Sequence, residues 1–333
     1  MSRDPASSFT CRNSFPLLPL NRQRPRQHVV RNNAAPRLTS CTNHRRNRGN
    51  PRAALKDQKM IPTPVTSNFK AEALTDEHLR VQAPSIFAAA PMSGLSTRYA
   101  FVPTTQIITG LREKNWVPVS VEQQRVRISA RFGFQKHVIR FRRAGQMKTL
   151  DEWNEELVLT NSHDAACAYI MRVGIYRRLC SNGLVVSDET FEAIRFRHAG
   201  LKPEEVVNAS YRILEHLPKV ASLIESFRNR RLTDQETLTF AERALLLRFG
   251  NAEQAPIEPR TLLTPRRPED DANDLWTVLN RTQENLVRGG LSDTRRSRAG
   301  RLRSLRSLRG IDSKITINTG LWNVAEAMVN YRN

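Results

Sequence analysis

Residues 137–142 read His137-Val138-Ile139-Arg140-Phe141-Arg142, and this order of side chains decides the fold class. Successive side chains of an extended chain point to opposite faces. His137, Ile139 and Phe141 therefore share one face, while Arg140 and Arg142 lie on the other. Such alternation predicts a strand with one covered face and one solvent-facing face, and the open face would be rich in arginine.

Extended character continues through much of the first ordered half. In residues 125–131, apolar and arginine side chains alternate in the same way, and shorter strands are predicted at 157–159 and 194–198. The pair Asn182-Gly183 predicts a tight turn, because both residues tolerate positive φ.

Helical spacing replaces alternation in the second half. It runs from Pro203 to about Phe249, with a break predicted at Pro218. Residues 251–270 are Pro-rich and predict a loop. Further helices are predicted from Leu275 to the stop at Gly289-Gly290 and over 319–331. Strands followed by helices predict an α+β fold with an antiparallel-rich sheet, and residues 60–333 are read as a single domain.

The first 59 residues differ in composition from the rest. They hold 13 basic and two acidic residues, in a chain of 333 with a formal net charge of +21. Their polar, Pro-rich composition predicts disorder. This basic tail is interpreted as a transit peptide, as a nucleic-acid-binding arm, or as the product of a mis-assigned start. We favour the last, with Met60 as the true first residue, because ordered-looking sequence begins just after it.

Several classes of protein are excluded by composition and motif. The chain has no run of eighteen apolar residues, which argues against a membrane partner, and its four cysteines are too few for a disulfide scaffold. It also lacks a Gly-rich phosphate loop, HExxH and GxSxG. We expect a cytoplasmic protein without a cofactor, and the sequence indicates no reaction. Oligomeric state is left open.

A basic segment near the C-terminus suggests a partner. Residues 288–309 contain eight arginines and one acid, and Arg303, Arg306 and Arg309 recur every three residues beside leucines. On a helix this spacing gives an arginine face suited to phosphate, because guanidinium donates two hydrogen bonds at once. The alternative is a solvated charged face. The candidate nucleic-acid contacts are Arg295, Arg296, Arg298, Arg301, Arg303, Arg306 and Arg309, with Arg140 and Arg142 as lesser candidates.

The predicted sheet offers a second basic surface with aromatic residues for base stacking. Its arginines are Arg125, Arg127, Arg131, Arg140, Arg142 and Arg143. Phe132, Phe134 and Phe141 lie nearby. The alternative is that the phenylalanines belong to the core, and the alternation favours that interpretation for Phe141.

A third group contains residues able to bind metal or move protons. It comprises His137, His163, Asp164, Cys180 and His198. Long spacings leave their convergence open. Asn161-Ser162-His163-Asp164 is also explained as a turn held by side-chain-to-backbone bonds, and His137 as a core histidine.

These landmarks resemble the phage/plasmid-like proteins grouped as domain of unknown function 932. The resemblance covers most of residues 80–325. Its most specific parts are Asn161-Ser162-His163-Asp164 and Cys180-Ser181-Asn182-Gly183-Leu184. The remaining shared landmarks lie at 96–99, 103–104, 116–119, 136–142, 174–177, 185–186, 275–285 and 288–290. The resemblance implies a bacterial, phage or plasmid setting and no known activity. It does not reach the first 59 residues.

We therefore expect a protein that binds single-stranded or structured DNA electrostatically, with little base readout. One alternative is an interaction protein that acts on a host defence or replication enzyme. A second alternative is a metal-dependent enzyme acting on nucleic acid, with His163, Asp164, Cys180 and His198 as candidate ligands.

Overall fold

The structure is a computed structural model that describes residues 72–146, 153–177, 183–185, 193–297 and 299–330. The basic tail, the Asn-Gly turn, Cys180 and Arg298 lie outside the described residues. Predictions made for them, and the predicted domain boundary at residue 60, are therefore not tested by the structure.

An antiparallel sheet is built from the first half of the described chain, as the alternation predicted. Its strands run in the order β1-β2-β3-β4-β5, and β6 pairs with the same edge of β4 as β5 does. A separate hairpin joins β7 to β8. The strands are β1 Trp116–Gln123, β2 His137–Arg143, β3 Trp153–Asn161, β4 Tyr169–Arg177, β5 Gly183–Val185, β6 Ile194–Phe196, β7 Ser292–Arg296 and β8 Leu302–Ser304.

Helices form most of the second half, which confirms the predicted α+β class. The α-helices of the described chain, including two in the first half, are α1 Asp76–Gln82, α2 Thr104–Glu113, α3 Pro203–Asn229, α4 Asp234–Phe249, α5 Leu275–Arg288 and α6 Ile311–Asn330. Thr233 forms a capping box with Glu236, and Gly250 closes α4 in the left-handed conformation. Every helix in the described ranges is too short or too polar to cross a membrane.

The two faces of the sheet follow the predicted alternation, but both are covered. Ile139 and Phe141 are fully buried on the face that meets α2. Helix α6 covers the opposite face, where its Lys314 bonds Glu122 of β1. The prediction of a solvent-facing second face was therefore wrong.

Helix α3 continues through Pro218, where a break was predicted. Proline removes one backbone donor, yet apolar side chains before and after it are buried in the same core, including Ile213, Leu217, Val220 and Ile224. Burial on both sides of Pro218 holds the helix together.

Two other regions differ from the sequence prediction. Residues 124–136 form a loop between β1 and β2 with one short 3₁₀ turn, because Ile128 and its neighbours find no layer to pack on.

Residues 292–304 form the β7–β8 hairpin instead of a helix. Gly289 and Gly290 end α5 as predicted, and a side chain on Gly289 would collide with the backbone of Arg306 at 2.6 Å. Helix α6 also begins earlier than predicted, at Ile311 instead of Thr319.

Candidate functional site

The loop between β1 and β2, residues 124–136, carries exposed cations beside exposed apolar groups. Arg125 and Arg127 are exposed, and neither forms an ion pair within the part of the chain that the structure describes. Ile128 is 61% exposed and Phe132 57%. Because Phe132 is mostly accessible in a loop that also carries Arg125 and Arg127, the loop can stack against a flat ligand and bind its negative charge.

The base of this loop is fixed by hydrogen bonds. The His163 amide donates to the Phe134 carbonyl at 2.8 Å, and Gly133 donates to the side chain of buried Gln135 at 2.7 Å. Arg131 lies 3.4 Å from Asp164. The exposed tip therefore stands on an anchored frame, and Arg131 is partly neutralised.

The basic segment, defined here as residues 295–309, contains most of the β7–β8 hairpin and the extended chain after it. Leu305 is buried, and its amide donates to the Leu291 carbonyl at 2.7 Å. Arg303 is half-buried and donates to the Gln254 carbonyl at 3.3 Å. Its exposed arginines are Arg296, Arg301, Arg306 and Arg309.

The structure thus places four of the predicted contacts on the surface, while the side chain of Arg295 and all of Arg298 fall outside its description. The guanidinium of Arg296 donates to the Gly300 carbonyl at 2.8 Å and braces the hairpin. Arg301, Arg306 and Arg309 pair with no carboxylate among the described residues.

Helix α6 brings the β1–β2 loop and the basic segment together. Lys136, at the end of the loop, bonds Asp312 in the first turn of α6 at 2.8 Å. Arg309 precedes Asp312 by three residues, so the two Cα atoms are at most about 10 Å apart. The base of the β1–β2 loop therefore contacts α6 three residues after Arg309.

Arg140 and Arg142 are placed differently from the sequence prediction. Both form ion pairs with Glu156 of the neighbouring strand, and the contact from Arg142 Nη2 measures 2.8 Å. Arg142 is only 3% exposed and packs 4.0 Å from the centre of the Tyr176 ring. The expected exposure of this sheet face was wrong, because α5 and α6 lie over it. Phe141 is in the core, as the alternation favoured.

Three of the candidate histidines meet in a buried cluster beneath the start of α2. Thr104 Oγ1 lies 3.0 Å from His137 Nε2 and 3.1 Å from His163 Nε2. The Asn161 amide donates to the same hydroxyl at 3.1 Å, and its carbonyl oxygen lies 3.1 Å from His198 Nε2. One hydroxyl and one amide thus connect all three rings.

The cluster is held neutral by its surroundings. Burial lowers the pKa of His137 to about 3 and that of His163 to about 4, and it lowers the pKa of His198 as well. His198 Nε2 faces two acceptor oxygens, so that nitrogen carries the proton. The Nδ1 atoms of His163 and His198 have no hydrogen-bond partner within the described ranges.

The metal-ligand prediction finds no geometric support in this cluster. Asp164 uses one oxygen to accept from the Ala166 amide at 3.0 Å, and its other oxygen faces Arg131. No three His, Cys, Asp or Glu side chains of the described chain lie together as a metal site, and Cys180 is outside that chain. Asn161–Asp164 holds a turn, as the alternative interpretation stated. Sequence reasoning missed Thr104, because a threonine at a helix start carries no distinguishing signal.

Comparison with known proteins places this chain among relatives. A family model described as "Domain of unknown function (DUF932)" matches residues 91–322. UPF0380 protein YafZ and UPF0380 protein YfjQ, both of Escherichia coli strain K12, are each 36% identical to this chain over 256 residues. That match covers 77% of this chain and 92% of each relative. No solved structure matches it. The loop, the basic segment and the three histidines all lie inside the range of the family model.

Proposed function

The chain belongs to the DUF932 family, whose description assigns no activity, so we propose a function from its surface chemistry: binding of single-stranded nucleic acid. The proposed interface consists of the β1–β2 loop and the basic segment. We propose that a phage or plasmid encodes the protein and that it acts in the cytoplasm. Its proposed ligand is single-stranded or structured DNA.

Unpaired guanidinium groups are the first support. Arg125, Arg127, Arg301, Arg306 and Arg309 have no carboxylate partner within the described chain. Arginine binds phosphate in two parallel hydrogen bonds, and each contact releases condensed counterions from the nucleic acid. A cluster of such groups without neutralising acids therefore attracts a phosphate backbone.

The exposed ring of Phe132 is the second support, and it favours a single strand over a duplex. Stacking on an aromatic side chain requires a base whose face is free, and every base has such a face. The ring therefore adds affinity with little sequence preference. A duplex would satisfy the arginines but leave Phe132 in water.

The single observation that carries the proposal is the contact between Lys136 and Asp312. It joins the base of the loop to the start of α6, three residues after Arg309, and so supports the proposal that the two basic segments act as one interface. Without it, the arginines would be isolated charges with ordinary solvation.

Fluorescence anisotropy with a labelled single strand tests the proposal. The chain beginning at Met60 should bind at about 50 mM salt and lose affinity steeply by about 200 mM. Arg125→Gln with Arg127→Gln should weaken binding, whereas Arg212→Gln, an exposed arginine on α3, serves as the matched control. No binding at the lower salt, or equal losses from both changes, would reject the interface.

A second candidate function draws on the same loop. Ile128 and Phe132, four residues apart in the loop, both expose apolar side chains that a protein partner would cover. A host protein held by this pair would remain bound after nuclease treatment and would be released by Ile128→Ser. Loss of every partner on nuclease treatment would contradict this candidate.

A further inference from the structure

A cleft of about 200 Å³ lies between the arginine-bearing face of the sheet and helices α5 and α6. Ligand pockets for drug-sized molecules hold roughly 300–1,000 Å³, so this cleft admits a smaller group such as a single ring system. We call it the sheet–helix cleft.

The walls of the sheet–helix cleft are mixed, with aliphatic side chains beside the polar Ser120, Glu122, Arg140, Gln283, Lys314 and Asn318. Val138 and Val158 contribute from the sheet, and Val287 and Ile315 contribute from the helices. Aliphatic side chains therefore face the cleft from both packed layers. Burial of the two faces of a ring would supply the affinity.

Amide groups at one side of the cleft can read the edge of such a ring. Gln283 is 2% exposed, and its Nε2 donates to Asn318 Oδ1 at 3.0 Å. A carboxamide has two donor hydrogens and an acceptor oxygen. Gln283 therefore keeps one donor and one acceptor for a ligand, which is the pairing that a nucleobase edge presents.

The charges of the cleft favour a neutral ligand. Lys314 Nζ lies 2.7 Å from Glu122, and Arg140 forms an ion pair with Glu156. Because each cation already has a carboxylate, an anion placed inside would find little uncompensated positive charge. A ring without charge fits, with any attached phosphate left outside in the solvent.

The position of the cleft links it to the proposed interface. Lys314 lies two residues after Asp312, which bonds Lys136 at the base of the β1–β2 loop. The cleft and the contact with the loop therefore involve the same end of α6. Proteins that read a single base hold it by its polar edge between apolar side chains.

We infer that the sheet–helix cleft binds one nucleobase, contacted at its edge by Gln283 and enclosed by the four aliphatic side chains. The base can come from a free nucleoside or from a bound strand, and the second source rests on the proposed function.

Nucleoside binding is measured first, by calorimetry with adenosine, guanosine, cytidine and thymidine. We expect at least one to bind with Kd on the order of 1 mM. Ser120→Phe places a ring in the cleft from an exposed strand position and should weaken that binding by at least about tenfold. Thr316→Phe, on the exposed side of α6, is the matched control and should leave binding unchanged. Gln283→Met removes only the polar edge and should weaken binding without filling the space.

Strand binding separates the two sources. If a bound strand inserts a base, Ser120→Phe should weaken its affinity by about five- to a hundredfold while Thr316→Phe does not. Nucleoside binding abolished in Ser120→Phe, with no strand binding at all, would support the cleft and reject the proposed function. No nucleoside binding, together with equal strand affinity in Ser120→Phe and the parent chain, would overturn the cleft and leave the proposed function standing.

Discussion

The sheet face and the basic segment use arginine in opposite ways. On the sheet, Arg140 and Arg142 are enclosed and share the carboxylate of Glu156. In the basic segment, Arg306 and Arg309 are exposed, and neither forms an ion pair with an acid of the described chain. The difference shows what makes the charge of a segment available to a partner. Whether other helices pack over the segment matters more than how many arginines it contains.

The largest expected effect comes from removing the shared acid. Glu156→Gln leaves two largely buried guanidinium groups without their counter-charge, which should lower the free energy of unfolding by about 3 kcal/mol or more. Urea unfolding measures it, with Glu113→Gln, an exposed acid on α2, as control. Equal small losses in both variants would mean that the sheet arginines are solvated after all.

A smaller loss is expected from Gly174→Ala, which tests how closely that face is packed. The added methyl group would lie 2.6 Å from Val158 Cγ2 and 3.1 Å from Arg140 Nη2. Overpacking of this kind costs about 1–3 kcal/mol. Gly145→Ala, whose methyl group would meet nothing within 4 Å, is the matched control in the same unfolding measurement. If Gly174→Ala is as stable as its control, the packing argument is wrong.

pH distinguishes the buried polar groups from the surface arginines. The pKa of His137 and that of His163 lie below the ordinary value of about 6.5, so the unfolded chain binds more protons once the pH falls below that value. The free energy of unfolding should therefore decrease from pH 6.5 toward pH 4, by up to about 1.4 kcal/mol per pH unit for each imidazole. Above pH 6.5 this contribution should be constant.

Unfolding curves at several pH values measure this dependence, and His137→Gln should reduce it by the contribution of one imidazole. His78→Gln, in exposed helix α1, should leave the dependence as it is. Strand affinity should change little over pH 6.5–8, since arginine keeps its proton there. A stability that does not vary between pH 6.5 and pH 4 would contradict the neutral cluster.

The smallest effect on stability is expected in the basic segment. Arg306→Gln with Arg309→Gln should change the free energy of unfolding by less than about 0.5 kcal/mol, because both side chains are exposed. The salt dependence of strand binding should fall by about 0.7 in the logarithmic slope for each phosphate that the variant no longer neutralises. An unchanged slope would remove these arginines from the interface.

Local patterns predicted the sheet well and its surroundings poorly. Alternation over 137–142 assigned Ile139 and Phe141 to the core face, and the structure agrees. It could not reveal that α6, which begins at Ile311, covers the other face, since no local signal connects chain segments so far apart. The repeat of arginine every three residues suggested a helix, but the chain turns back near Gly300, where φ is positive, and makes a hairpin whose returning chain packs against Gly289.

Candidate site residues show the same limit. The histidines were named from their residue types alone, and the structure brings His137, His163 and His198 together through Thr104 and Asn161. Their burial, which makes them neutral, depends on α2 and could not be inferred from strand ends. Phe132 was named as a stacking candidate, and its exposure is a property of the loop that replaced the predicted strand.

Helix α6 is fastened to the sheet by two ion pairs near the surface, Lys136 with Asp312 and Lys314 with Glu122. Dissolved ions weaken exposed pairs just as they weaken attraction to a polyanion. Raising ionic strength would weaken these two pairs at the edge of the cleft while it releases the ligand from the arginines. A salt titration would then show a steeper decline in strand affinity than phosphate neutralisation alone produces. Asp312→Asn, which removes one ion pair, would separate the two contributions.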